Sequence, residues 1–433
     1  MSATLDVTEA EELLRFIEAS PSPFHAVAEA TVLLEAAGFS VLDAADPWPA
    51  GSGRRYVARG GSLVAWVVPD GADPTTPFRI IGAHTDSPNL RIKPRPDTGR
   101  AGWRQLGVEV YGGALLNSWL DRDLGLSGRV VVTADHGPEE RLLKIDRPLL
   151  RVPQLAIPLD REIVEHGLKL NRQQHLSPVW GLGPGDDGGF VRFLAEELGV
   201  REVEVLGWDV MAHDLTPGTI AGRDGELLSA PRLDNLCSCY AGIRALTETA
   251  DDTGTVAVVC LFDHEEVGSV SATGADSALL PTVLERSVLA RGGDREGWHR
   301  ALATSVCASV DMAHATHPNY VDRHEPGHHV ALNAGPVLKI NTNQRYATDG
   351  ATAAAFADDC RIAGVPVQHF VSRSDLPCGS TIGPVTSARL GVATFDVGVA
   401  QLAMHSAREL GGAADPGHLV RALTGFLRRP PRS

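Results

Sequence analysis

The stretch VAVVCLFDHEE, residues 256–266, joins a strand-like apolar run to a cluster of charged side chains. Its first seven residues are apolar or small and rich in valine, as in a strand buried on both faces. Two adjacent carboxylates, Glu265 and Glu266, follow this run, and Gly268 then begins a tight departure. In an open α/β sheet, ligands bind at the carboxyl ends of the strands. The acidic pair is therefore a candidate site.

Three other apolar runs have the same organisation. They are residues 79–84, 305–311 and 392–398, which end at or lead to His84, Asp311 and His405. Helical stretches such as 233–249 and 350–363 alternate with these runs. The alternation predicts an α/β fold with a mostly parallel central sheet covered by helices. Four strand ends that carry Glu, His, Asp and His then predict one converging metal site.

A segment of different texture interrupts this pattern. Residues 93–230 contain short strand-like runs, such as 108–111 and 129–133, between turns rich in Gly, Pro and Asp. We expect them to form a β-rich domain inserted into a larger domain made of residues 1–92 and 231–433.

The composition excludes several classes of protein. The chain has 433 residues, 43% of them hydrophobic, and a net charge of -15, which argues against nucleic-acid binding. No uncharged apolar stretch approaches the roughly 18 residues of a membrane span. The six cysteines include no Cys-x-x-Cys pair, and the acidic N-terminus does not resemble a signal peptide. We therefore expect a cytoplasmic protein without nucleic-acid or membrane partners.

The charges of the candidate ligands favour a two-metal site. Asp234 begins a helical stretch, where it is either an N-cap or a carboxylate that bridges two ions. Together with Asp311 and Glu266 it supplies three negative charges, and His84 and His405 supply none. Two divalent ions would leave a net charge of about +1, which a bridging hydroxide neutralises. Oxygen and imidazole ligands suit Zn, Mn or Co, and Glu265 stays available as a general base.

Neighbouring residues suggest supporting roles. Asp86 follows His84 by two positions and is the natural carboxylate to fix the tautomer of that imidazole. His314, after the third run, is a candidate ligand or substrate contact. The turn that contains Gly379 and Ser380 suits substrate binding through backbone N–H groups. A serine or cysteine nucleophile in this turn is the competing mechanism, although no Gly-x-Ser-x-Gly motif is present.

One familiar metal motif has the wrong context. His324-Glu325-Pro326-Gly327-His328 satisfies the HExxH pattern of zinc metalloproteases. That pattern requires both histidines on one face of a helix, and the central Pro-Gly pair would break the helix. We expect a polar surface loop here.

With these residues assembled, the chain resembles the M18 metallopeptidases, the aspartyl aminopeptidases, and in particular their bacterial members. The resemblance extends over nearly the whole chain and rests on eight blocks in the family's order. They are SPFHAV at 22–27, GAHTDSP at 82–88, APRLDN at 230–235, EEVGS at 265–269, DMAH at 311–314, HPNY at 317–320, PCGSTIGP at 377–384 and QLAMHS at 401–406.

The resemblance implies two ions per subunit, most simply Zn. Asp234 would bridge them, His84 and Asp311 would complete one ion, and Glu266 and His405 would complete the other. A hydroxide between the ions would attack the first peptide carbonyl of a peptide substrate, with Glu265 as general base. The resemblance further implies that residues 93–230 form a dimerisation domain and that the dimers build a tetrahedral homododecamer.

Specificity is the most open point. The resemblance places Lys339 and Tyr346 against the side chain of an acidic N-terminal residue. Eukaryotic members carry His where this chain has Gln154 and Pro158, and His175, in the same domain, is the candidate to replace that imidazole. We expect an aminopeptidase that prefers Asp or Glu. The alternatives are the same enzyme with neutral or broad specificity, and a non-catalytic scaffold, which the presence of all five ligands argues against.

Overall fold

The computed structural model describes residues 6–249 and 254–429. The α-helices within them are α1 Thr8–Ala19, α2 Pro23–Ala36, α3 Ile163–His166, α4 Gly189–Leu198, α5 Leu233–Thr247, α6 Leu279–Ala290, α7 Arg295–Ala303, α8 Gly350–Ile362, α9 Ile382–Leu390 and α10 Asp415–Arg428. None of these helices has the length and apolar character that a membrane crossing requires.

The strands fall into three sheets. In chain order they are β1 Ser40–Val41, β2 Gly53–Arg59, β3 Ser62–Val68, β4 Phe78–His84, β5 Asn89–Arg100, β6 Trp103–Tyr111, β7 Leu124–Ala134, β8 Gly137–Leu150, β9 Val179–Leu182, β10 Val205–Asp214, β11 Thr219–Ala221, β12 Leu227–Ala230, β13 Val256–Phe262, β14 Val306–Val310, β15 Ala313–His314, β16 Val337–Ile340, β17 Gln368–Val371, β18 Ala393–Gly398, β19 Ala400–Leu402 and β20 Glu409–Gly412.

The chain forms two compact units. The first consists of Met1–Asp86, Gly218–Met404 and Glu409–Ser433, and the second of Ser87–Pro217 with His405–Arg408. The sequence pattern predicts that residues 218–230 belong to the insertion. They belong to the first unit because β12 pairs with β20 in antiparallel register. The role of the second unit in dimerisation stays a prediction.

A nine-stranded sheet dominates the first unit, in the order β1-β2-β3-β13-β4-β14-β18-β16-β17. Its centre is parallel: β13 pairs with β4, β4 with β14 and β14 with β18. Phe262 lies opposite His84, so β4 and β13 end together at one edge. The α/β fold with a mostly parallel central sheet is confirmed.

Helices cover both faces of this sheet. β3, β4 and β13 are buried along their whole length, and alternate residues enter different cores. Ile81 packs in a core with residues of α1, α2, α5, α8 and α10, whereas Ile80 packs with residues of α6, α7 and α9. The near-continuous apolar runs in the sequence follow from this double coverage. A smaller sheet, β11-β12-β20-β19-β15, completes the unit.

The second unit is built on a six-stranded antiparallel sheet, in the order β8-β7-β10-β5-β6-β9. Phe190 of α4 is fully buried in its core, and its ring lies 5.3 Å from that of Trp208. In β7, buried and less buried residues alternate from Gly128 to Thr133, as in a sheet with one covered face. This unit is β-rich, as the sequence predicts.

Candidate metal centre

His84 lies at the end of β4 and is 1% exposed. Its Nε2 lies 3.3 Å from Asp234 Oδ1 and 3.5 Å from Asp311 Oδ1. One ligand atom from each of these three side chains can be chosen so that all lie within 4.8 Å of one another. Asp311 directly follows β14, whose parallel pairing with β4 brings the two strand ends together. One imidazole and two carboxylates at this spacing fit a divalent ion such as Zn.

The electrostatics of this group also favour a cation. Burial by itself lowers the pKa of His84, but the hydrogen-bonded carboxylates of Asp234, Asp311 and Asp86 raise that pKa well above its ordinary value. The three carboxylates therefore create a strongly negative potential in a buried place. Such a potential is neutralised by a divalent ion as well as by a proton.

Asp234 interrupts the start of α5. Its φ and ψ of -82° and 104° are not helical, and no side chain caps the start of α5. Its backbone N–H donates to Glu409 Oε2 at 3.0 Å. Its carboxylate Oδ1 lies 3.3 Å from His84 Nε2, and its role as a metal ligand stays a prediction.

Asp86 is connected to both halves of the site. The Nδ1 of His84 lies 3.0 Å from the Asp86 carbonyl oxygen and 3.4 Å from its carboxylate. The Oδ1 of Asp86 accepts the backbone N–H of Glu265 at 3.0 Å, and the Oδ2 of Asp86 accepts that of Glu266 at 3.1 Å. The sequence predicted only the contact with the imidazole. One fully buried carboxylate thus orients both His84 and the acidic turn.

Glu265 and Glu266 form the start of a single 3-10 turn, Glu265–Val267. His264, with φ of 67°, and Gly268, with φ of 99°, flank the turn in left-handed conformations. Burial raises the pKa of Glu265 to about 7; His84 opposes this shift, and the negative charges of Asp311, Asp234 and Asp86 add to it. A carboxyl group with a pKa near neutrality is suited to general base catalysis.

Lys339 has a partner within the site. Its ammonium donates to Asp311 Oδ2 at 3.2 Å and to the carbonyl of Met312 at 3.1 Å, and the residue is 2% exposed. The same ammonium lies 5.3 Å from the centre of the Tyr346 ring. Asp311 therefore lies between an imidazole and an ammonium, a contact that the sequence did not indicate.

Most of the other predicted substrate residues surround one small cavity of about 120 Å³. His314, Tyr346, Cys378 and Gly379 line it. Ser380 is not among the lining residues, and its hydroxyl donates to the carbonyl of Arg345 at 3.1 Å. The positive side chains Arg323 and Arg373 and the imidazole of His324 also line the cavity, together with Glu325 and Phe370.

His405 belongs to the second unit. Its backbone has a φ of 66°, and its Nδ1 lies 3.2 Å from the carbonyl oxygen of Gly113 in the same unit. An accepting carbonyl fixes the tautomer of an imidazole and leaves Nε2 as its ligand atom.

The HExxH residues do not form a zinc site. They follow the 3-10 turn Val321–Arg323 in an irregular segment, so the helix that the motif requires is missing. Glu325 pairs with His328, and His324 Nε2 accepts the backbone N–H of His317 at 3.0 Å. Among the described residues, none of the motif's side chains belongs to a group of three that could hold an ion.

Asp396 has no role in the sequence analysis, although it is the single charged residue in an apolar run. It is fully buried and accepts hydrogen bonds from Ser309, Thr381 and Ala347. The sequence signal for this residue is a single carboxylate in a run with Ala393, Thr394 and Phe395. A charge in a buried strand requires hydrogen-bond donors, so the run indicates a carboxylate that holds neighbouring segments.

One family model matches nearly the whole chain. The family model described as Aminopeptidase I zinc metalloprotease (M18) matches residues 16–427. A relative from Streptomyces coelicolor, named Probable M18 family aminopeptidase 2, is 56% identical over 422 residues, which are 96% of this chain and 97% of the relative.

Two solved structures are similar over nearly the whole chain. A chain in the cryo-EM structure of the Ape4 and Nbr1 complex has a TM-score of 0.93 and 36% identity, over 97% of this chain and 85% of that one. A chain of the S. cerevesiae mApe1 dodecamer has a TM-score of 0.84 and 29% identity, over 98% of this chain and 97% of that one. This chain therefore belongs to the M18 peptidase family, the aminopeptidase I zinc metalloproteases.

Proposed function

We propose that this M18 aminopeptidase removes the N-terminal residue of peptides with two divalent ions and a glutamate base, and that it prefers Asp or Glu at that position. The observation that carries the chemistry is the joint geometry of His84, Asp234 and Asp311 with the Glu265–Glu266 turn. His84, Asp311 and the acidic turn lie at the ends of β4, β14 and β13, and Asp234 lies in the first turn of α5. The buried Asp86 carboxylate connects the turn to the ligand His84.

We assign one ion to His84, Asp311 and the bridging carboxylate of Asp234, and the second ion to Asp234, Glu266 and His405. The donors are imidazole nitrogens and carboxylate oxygens, which suit Zn and also accept Mn or Co. When bound, such ions polarise the scissile carbonyl and lower the pKa of the attacking water. The count of two ions rests on the ligand set and on the family resemblance.

Glu265 is the proposed general base. Its carboxylate accepts a proton from the attacking water and later donates it to the leaving amine. A pKa of about 7, raised by burial, lets the same group accept and release a proton near neutral pH. The backbone hydrogen bond from Glu265 to Asp86 keeps this carboxylate in place, while the next residue, Glu266, serves as a ligand.

His314, Tyr346, Gly379, Ser380 and Lys339 are the proposed substrate contacts. An acidic preference is supported by the cavity that His314, Tyr346 and Gly379 line. Two guanidinium groups and two imidazoles lie in its wall, those of Arg323, Arg373, His314 and His324. Neutral or broad specificity is the second candidate, because Lys339 already pairs with Asp311. An ammonium that already donates to a carboxylate binds a second carboxylate, that of a substrate, less strongly.

The proposed assembly is a tetrahedral homododecamer of dimers, with the second unit as the dimerisation domain. A chain of the S. cerevesiae mApe1 dodecamer has the same fold. The second unit also exposes large apolar side chains, among them Leu159 at 75% and Val164 at 83%, which a subunit contact would cover. The cytoplasmic location is supported by six free thiols, all of which lie in the described residues.

A panel of aminoacyl 4-nitroanilides tests the proposed specificity. The purified chain, loaded separately with Zn, Mn and Co, is assayed on Asp, Glu, Leu, Ala and Gly derivatives. We expect Asp and Glu to have the highest kcat/KM, with about two ions per chain by elemental analysis. Higher kcat/KM for Leu or Ala would establish the neutral alternative, and one ion per active chain would contradict the dinuclear site.

A further inference from the structure

The buried carboxylate of Asp396 has no part in the metal and base chemistry proposed above. It lies on β18 and is fully buried. It accepts the hydroxyl of Ser309 at 2.6 Å, the backbone N–H of Ala347 at 2.6 Å and the hydroxyl of Thr381. A buried carboxylate with three donors is held firmly in one orientation.

The three donors come from three separate segments. Ser309 belongs to β14 and lies opposite Asp396 in the parallel register. Ala347 directly follows Tyr346, and Thr381 directly follows the turn 378–380. Tyr346 and the turn both line the cavity of about 120 Å³, although they are distant from each other in the sequence. One carboxylate therefore anchors both cavity-lining segments to the same strand pair.

The surroundings of Asp396 permit little adjustment. Its backbone N–H donates to the hydroxyl of Thr348 at 2.8 Å, which connects the Tyr346 segment a second time. Gly383, in the first turn of α9, packs so closely that a Cβ there would collide with the carboxylate. Burial raises the pKa of Asp396, while the nearby Lys339 ammonium and its hydrogen-bond donors act in the opposite direction.

We propose that Asp396 is a positioning residue for substrate selectivity, because it sets the spacing between the Tyr346 segment and the turn 378–380. The proposal rests on the proposed function in one respect, namely that the cavity between these segments receives the side chain of the N-terminal residue. It does not depend on whether that side chain is acidic or neutral.

Replacement by Asn separates the donors into two kinds. The hydroxyls of Ser309 and Thr381 can rotate and accept a hydrogen bond from the new amide, whereas the backbone N–H of Ala347 can only donate. An amide retains one acceptor oxygen where the carboxylate had two. Ser309 and Thr381 donate to one carboxylate oxygen and Ala347 to the other, so the amide oxygen stays on Ala347 and the amide nitrogen turns to the hydroxyls. These uncharged hydrogen bonds are longer and weaker than those of the carboxylate, so the turn 378–380 is held less firmly and its spacing from the Tyr346 segment changes.

The test compares Asp396→Asn with wild type on Gly, Leu and Asp 4-nitroanilides. We expect kcat/KM for the substrate with the larger wild-type value, Leu or Asp, to fall at least about tenfold relative to Gly, whose hydrogen side chain does not reach into the cavity. The Zn content is expected to be unchanged. Asp415→Asn is the matched control, because Asp415 is 1% exposed and accepts two backbone N–H groups, from Asn333 and Gly335, outside the cavity.

An equal fall of kcat/KM for all three substrates, or an unchanged ratio, would overturn the proposal. If Asp396→Asn does not fold, Thr381→Val removes the hydrogen bond between the turn and Asp396. The same ratio of kcat/KM values, Leu or Asp relative to Gly, is then measured on this variant. The wild-type panel separates the proposed acidic specificity from the proposed role of Asp396. Preference for Leu over Asp refutes the acidic specificity and leaves the Asp396 ratio to be measured on Leu against Gly.

Discussion

The two units differ in how fully their paired charged side chains are buried. The first unit buries charged groups that share partners, so that His84, Asp86, Asp234, Asp311 and Lys339 form one connected group. In the second unit, ion pairs such as those of Arg129 with Glu140 and Arg151 with Asp123 have exposed members.

This difference indicates that the buried charges of the first unit serve function, whereas the second unit is stabilised by its apolar core. Burying several charges costs folding free energy, and they persist where an ion or a reaction uses them. Exposed pairs contribute at most about 1 kcal/mol each, so the second unit must depend on its apolar core for its stability. Substitutions in the first unit should therefore alter metal binding and catalysis, and substitutions in the second should alter stability and assembly.

The largest expected effect is that of Glu265→Gln. Loss of the proposed base should lower kcat by about 10²–10⁴-fold, while the metal content should equal that of the wild type because Glu265 is not among the proposed ligands. Steady-state kinetics and elemental analysis measure the two quantities. Glu296→Gln, at an exposed position in the first turn of α7, is the control and should retain activity. Wild-type turnover in Glu265→Gln would refute the assignment of the base.

Phe190→Ala tests the other side of the comparison. Its ring is fully buried against Trp208 in the second unit, so truncation should cost about 3–5 kcal/mol of unfolding free energy. Chemical denaturation measures that loss, and size-exclusion chromatography with light scattering should show a smaller assembly. Phe193→Ala, at a half-buried neighbouring ring, should cost less. Unchanged denaturation of Phe190→Ala would show that the core does not stabilise this unit.

Asp86→Asn should weaken metal binding by about 10–100-fold, the usual range for a residue that orients a ligand. The amide cannot accept both backbone N–H groups of Glu265 and Glu266. Competition with a chelator gives the affinity independently of activity. Asp209→Asn, which removes an exposed partner of Arg129 in the second unit, is the control. Equal metal affinity in both variants would contradict the role of Asp86.

The smallest effect concerns acid stability. The hydrogen bond from His213, followed by contacts with Lys144, lowers the pKa of Asp146 to about 2, against about 4 in an unfolded chain. The resulting stability is present above pH 4 and is lost as the pH falls to about 2. Because the Asp146 side chain is 53% exposed, we expect less than about 1 kcal/mol. Urea midpoints of Asp146→Asn should fall less than those of wild type across this interval; parallel curves would exclude the effect.

Much of the first unit could be predicted from local pattern. Apolar runs that end near His84 and Glu265 indicate buried parallel strands, because a sheet covered on both faces has apolar residues at nearly every strand position. The boundary at residue 218 could not be predicted in this way. β11 and β12 resemble the preceding β-rich segment in sequence, and only their pairing with β20, which is distant in sequence, assigns them to the first unit.

The sequence by itself determined the fold class, the chemical type of the candidate ligands and the M18 family, because strand periodicity and residue chemistry are local properties that short motifs carry. Only the tertiary structure decided which partners these side chains have. It placed the Lys339 ammonium on Asp311, the turn of Glu265 on Asp86 and two cavity-lining segments on Asp396. Such contacts join residues far apart in the chain, and hydrogen-bond geometry in a buried site depends on where the backbone brings each donor.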